Sequence, residues 1–78
     1  MDPVEVEALI RVAMPDATIS VRSPDGRHFE ALVISEVFDG KRTITRHRAV
    51  YDALGELVGR EIHALSLRTL TPSEADAE

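Results

Sequence analysis

The chain has no cysteine, no tryptophan and only three aromatic residues in 78, and none of its uninterrupted apolar runs exceeds a few residues. Without cysteine there is no disulfide to staple a small core, no thiolate for zinc or iron and no thiol nucleophile. Any metal chemistry must therefore use His, Asp or Glu, or borrow ligands from another molecule. Without a long apolar run there is no membrane-spanning helix, and Met1-Asp2-Pro3 opens neither a basic nor an apolar signal segment, so a cytoplasmic address with no membrane contact is expected. An excess of cations is also missing. The net charge of −5 argues against a chain that coats nucleic acid indiscriminately, because that binding depends on Lys and Arg neutralising phosphates.

What is present is a globular mixture, 44% apolar and 29% charged. The length fits one domain over residues 1–78, with 75–78 as a frayed tail. A domain of this size buries only roughly 60% of its unfolded surface, so its stability is marginal and a partner would help it. Charge is spread unevenly: residues 1–39 hold eight acids against three arginines, whereas residues 40–78 hold six of each sign. Between Gly40 and Tyr51 lie Lys41, Arg42, Arg46, His47 and Arg48 with no acid among them.

Asp2, Pro3 and Glu5 read as an N-cap, a first-turn proline and the partner carboxylate of a capping box, followed by a helical stripe of Val6, Leu9, Ile10 and Ala13. Alternation from Thr18 to Arg22 predicts a half-buried strand, Pro24-Asp25-Gly26 a turn in which Asp25 bonds the backbone, and His28 to Val37 a returning, more deeply buried strand. Ile44, Val50, Tyr51, Leu54, Leu57 and Val58 recur at helical steps, giving a helix from about Thr43 to Leu54 and a short second turn ending near Gly59. Ile62 to Leu70 alternates as a third strand, and Thr71-Pro72-Ser73-Glu74 caps a stub helix. The order is αββααβ. Strands two and three, joined through helices, should run parallel. If they are neighbours, His28 and His63 start at the same end of the sheet, roughly 5 to 8 Å apart for a strand spacing of ~4.8 Å.

His28-Phe29, Val33-Ile34-Ser35, Phe38-Asp39-Gly40-Lys41, Arg46-His47-Arg48-Ala49-Val50-Tyr51, Ile62-His63-Ala64-Leu65 and Thr71-Pro72-Ser73-Glu74 together resemble the BolA family, in order from about residue 4 to residue 74. The chain departs from many members in its short Ser23 to Arg27 loop, which lacks a Cys or His, and in Ala75, where an aromatic is common. It is therefore similar to a short-loop subgroup. The resemblance implies an α+β domain related to the type II KH fold, with a three-stranded mixed sheet and helices on one face. It also implies a monothiol glutaredoxin partner whose cysteine, with glutathione, holds a [2Fe-2S] cluster completed by histidine. Imidazole can replace thiolate on one iron, lowering the cluster's negative charge and raising its potential.

By this resemblance His63, in Ile62-His63-Ala64-Leu65, is the candidate ligand. His28 is the second candidate on the strand geometry, and His47 reads as a helix-surface residue. Lys41, Arg42, Arg46 and Arg48 read either as a solvated face or as a surface receiving glutathione carboxylates, an acidic glutaredoxin surface or DNA phosphates. The family's description as transcriptional regulators makes a small DNA-binding protein the alternative, against which stand the net charge and the missing Gly-x-x-Gly clamp. No Ser/His/Asp set, phosphate loop or carboxylate pair is present, so no catalytic residue and no enzyme activity is expected. No cluster is expected on the isolated chain, and a homodimer of the free chain is left open.

Overall fold

Asp2 begins the first helix, α1 (Pro3–Ala13), by accepting from the Val4 N–H at 3.0 Å. Its side chain makes this cap without a reciprocal bond from Glu5, so only half of the expected capping box forms. Val6 and Ile10 are fully buried and Leu9 packs beside them. Ala13 faces solvent and Met14 fills the expected place at the end of the stripe. A computed structural model describes residues 1–78, ordered as α1, β1 (Thr18–Arg22), β2 (His28–Ile34), a 3-10 turn (Glu36–Phe38), α2 (Thr43–Leu54), a second 3-10 turn (Gly55–Leu57), β3 (Ala64–Leu70) and α3 (Pro72–Asp76).

The sheet order is β1-β2-β3, with β1 antiparallel and β3 parallel to β2. Side-chain alternation sorts its two faces. Ile19, Phe29, Ala31 and Val33 are buried beneath α1 and α2, while Ser20, Glu30, Ser66 and Arg68 face outward. Phe38, Val50, Leu54 and Ile62 close the same core from the connections and α2.

Two boundaries differ from the sequence reading. β2 stops at Ile34 instead of Val37, because the Ser35 hydroxyl accepts from the Val37 N–H at 3.2 Å and starts the 3-10 turn. That turn swings Phe38 into the core, which a straight strand would not do. β3 starts at Ala64 instead of Ile62, since Ile62 exchanges backbone bonds with Leu57 and Gly59 in a local turn that buries its side chain. The chain joins the sheet where the N–H groups of His63 and Ala64 both reach the Arg27 carbonyl, at 2.9 and 3.3 Å.

Candidate functional site

The tight hairpin between β1 and β2 is built by two short polar side chains. Ser23 Oγ accepts from the Gly26 N–H at 2.8 Å and donates to the His28 carbonyl at 2.6 Å. Asp25 Oδ1 accepts from the N–H groups of Arg27 and His28, both at 2.9 Å. Gly26 has a φ of +74°, a conformation that side chains disfavour. The expectation that Asp25 bonds the backbone therefore holds, and its second oxygen does something more. Oδ2 lies 2.7 Å from His28 Nδ1. The two backbone donors, with the imidazole behind them, hold the Asp25 carboxyl well below the usual carboxylate range.

His28 opens β2 and pairs in register with Ala64, so His63, one residue earlier, lies at the same end of the sheet but one step out of phase with His28 in side-chain alternation. Both histidines are exposed, and His28 remains 64% accessible at its side chain. No three His, Asp or Glu side chains converge there or elsewhere in a geometry fit to hold a metal ion. The donors at this end are two accessible imidazoles, which would fit a metal group only as part of a ligand set shared with another molecule. His47 lies half-buried on α2.

The basic segment divides. Lys41, Arg42 and Arg48 are exposed and in no ion pair, whereas Arg46 is drawn inward. Its side chain is only 11% accessible, its Nε donates to the Lys41 carbonyl at 2.9 Å, and its Nη1 donates to the Thr69 carbonyl at 3.3 Å. The guanidinium grips both Glu74 oxygens, at 2.7 and 3.2 Å, and lies 5.9 Å from the Phe38 ring centroid. Glu74 in turn completes a capping box with Thr71 at the start of α3. Its carboxyl is lowered from 4.5 to about 2, first by Arg46 and then by the Thr71 N–H, and the same pairing raises Arg46. Arg46 thus joins α2 to α3, and the surface expected of four cations is carried by three. The 28-residue separation of Arg46 from Glu74 hid this role from local pattern.

The two groups of candidates sit at opposite ends. Because α2 follows the end of β2 and leads to the start of β3, its first turn lies by Thr69 and Glu74, while His63 lies before the first residue of β3. Five strand steps from Ala64 to Thr69 span about 16 Å. The shallow depression on the open face, lined by Ser20, Arg22, Glu30, Ser66 and Arg68 among others, contains neither group, and its arginines are paired with Glu30 and Glu78.

Comparison with known proteins decides the kinship. The family model described as BolA-like protein matches residues 8–74. The chain belongs to the BolA-like family. A BolA homologue from Coxiella burnetii has the same fold, with a TM-score of 0.85 and 39% identity over 97% of each chain. Yeast Fra2 gives a TM-score of 0.75 with 32% identity, over 96% of this chain and 84% of that one. The chain is 35% identical over 95% of its length to SufE-like protein 1 of Arabidopsis thaliana, of which it spans 21%. It is 40% identical to the DNA-binding transcriptional regulator BolA of Escherichia coli, over 60% of this chain and 45% of that protein.

Proposed function

We propose that this BolA-like chain is an accessory protein that pairs with a monothiol glutaredoxin and contributes histidine nitrogen to a [2Fe-2S] cluster held with the glutaredoxin cysteine and glutathione, in iron-sulfur trafficking or iron sensing. The observation that carries the reading is the β2–β3 register, which gathers His28 and His63 at one exposed end of the sheet. A chain without cysteine has no thiolate to offer a cluster, and accessible imidazoles at one end of the sheet suit a ligand set completed by a partner. Kinship with a SufE-like protein and with yeast Fra2 supports an iron-sulfur-related role. Family resemblance supplies the glutaredoxin and the glutathione.

The test is a visible spectrum of the mixed proteins. Chain, glutaredoxin and glutathione together should give absorption and circular dichroism distinct from glutaredoxin alone, while the isolated chain acquires no cluster. His63→Ala should shift that spectrum or make the cluster labile while the two proteins still associate. A mixed spectrum identical to that of glutaredoxin alone would overturn the reading.

A second reading is favoured by one observation. Lys41, Arg42 and Arg48 are exposed without ion pairs, and one relative is named a DNA-binding transcriptional regulator. The net charge of −5 weighs against phosphate binding as the main role. Salt-dependent binding of duplex DNA by this chain alone, abolished by Arg42→Glu and Arg48→Glu, would favour the regulator.

A further inference from the structure

We propose that Asp25 is a positioning residue for metal ligation by His28, orienting the imidazole so that Nε2 is its ligating nitrogen. The proposal rests on the reading above that the histidine end meets a metal cluster, and it assigns the short hairpin a task beyond turning the chain. A turn of this kind needs one oxygen of Asp25, and Oδ1 fills that need by accepting from the N–H groups of Arg27 and His28. Oδ2 is left to meet His28 Nδ1 at 2.7 Å, a contact the turn itself does not require.

The consequence is chemical. An ionised carboxylate only accepts, so the imidazole nitrogen facing it must carry the proton. In the neutral ring the lone pair then belongs to Nε2. A carboxylate on the far nitrogen fixes both ring orientation and tautomer, and makes the imidazole a better donor to a metal. The carboxylate is itself held: its backbone donors are on the hairpin, and Ser23 ties Gly26 and the His28 carbonyl into the same turn. His28 is thus presented by a rigid support, although the Ser23 to Arg27 loop itself carries no Cys or His. His63, at the same end of the sheet, has only its main-chain anchor at the Arg27 carbonyl, 2.9 Å away.

Asp25→Asn tests this with little disturbance to the turn, because the amide oxygen can still accept from Arg27 and His28. The amide nitrogen, however, is a donor, and it would face Nδ1 only if that nitrogen were unprotonated, moving the proton to Nε2. Nitrogen-15 NMR of the isolated chain, under conditions where the imidazole is neutral, should find His28 mostly as the Nδ1–H tautomer. Asp25→Asn should turn the majority to Nε2–H. In the reconstituted glutaredoxin complex, Asp25→Asn should then reproduce the spectral change of His28→Ala and release the cluster faster, by on the order of tenfold. Ser23→Ala, which loosens the turn without touching the ring, should leave tautomer and spectrum as in the parent chain.

A parent chain with mostly Nε2–H, or a Ser23→Ala variant indistinguishable from Asp25→Asn, would overturn the assignment. So would a complex whose spectrum is untouched by His28→Ala while His63→Ala alters it; that result leaves the glutaredoxin reading standing. If neither histidine variant alters the spectrum, the glutaredoxin reading falls, and the assignment falls with it.

Discussion

A single arginine shows how far a charged side chain can be from a solvated one. Arg46 spends its donors on the Lys41 and Thr69 carbonyls and on both oxygens of Glu74, a fork that lysine cannot reproduce. The pairing makes stability depend on acid. Unfolded, Glu74 takes up its proton near the ordinary 4.5; folded, it resists until about 2. Across that window the unfolded state binds more protons, so stability is fully present above about 4.5 and is lost as pH falls toward 2. Asp25, also lowered, loses its contribution in the same direction. The urea midpoint should therefore drop between pH 5 and 2.5, a range set by the Glu74 shift. Glu74→Gln should lower the midpoint at neutral pH and flatten that drop. An equal acid dependence in parent and variant would remove Glu74 from the account.

At the scale of elements, the most consequential event is the end of β2. The apolar, strand-favouring run from His28 continues in the amino acids through Val37, but a hydroxyl at Ser35 offers the backbone another partner, and the 3-10 turn it starts carries Phe38 to 1% exposure. Phe38 then packs with Val33, Val50 and Ile62 in the core and supports the Arg46 guanidinium. Phe38→Ala should destabilise the domain by about 3 to 5 kcal/mol, a large share of what so small a fold possesses. Chemical denaturation would measure it. A loss below about 1 kcal/mol would mean that the turn and not the ring closes the core here.

For the whole molecule, the topology separates two surfaces. α2 starts where the parallel strands end and returns to where they begin, so Arg42 and His63 lie at opposite ends of the sheet. On the function proposed, a cluster at the histidine end would be out of reach of Arg42, whose contribution to a glutaredoxin complex would come from a different patch of the partner. His63→Ala should therefore change the cluster spectrum with little effect on association. Arg42→Glu should weaken association, more at low salt, and leave the spectrum alone. In the double variant the two losses in association free energy should add to within about 0.3 to 0.5 kcal/mol, as independent sites do. A coupling energy well beyond that would show that one contact includes both ends.

Much of this was legible in local order. The strand of Thr18 to Arg22, the hairpin at Pro24-Asp25-Gly26, the helix from Thr43 to Leu54 and the Thr71 to Glu74 capping box follow from periodicity and from side chains that bond their own backbone within four residues. The parallel run of β2 and β3 followed from a helical connection between them. Adjacency of those strands, and with it the placing of His28 and His63 at one end of neighbouring strands, was decided only when the sheet chose the order β1-β2-β3. Tertiary packing also withdrew Arg46 from the basic surface. Periodicity reports which way a side chain faces along its own element. Which distant partner waits there depends on how elements pack, and the guanidinium of Arg46, drawn inward to Glu74, takes its role from that partner.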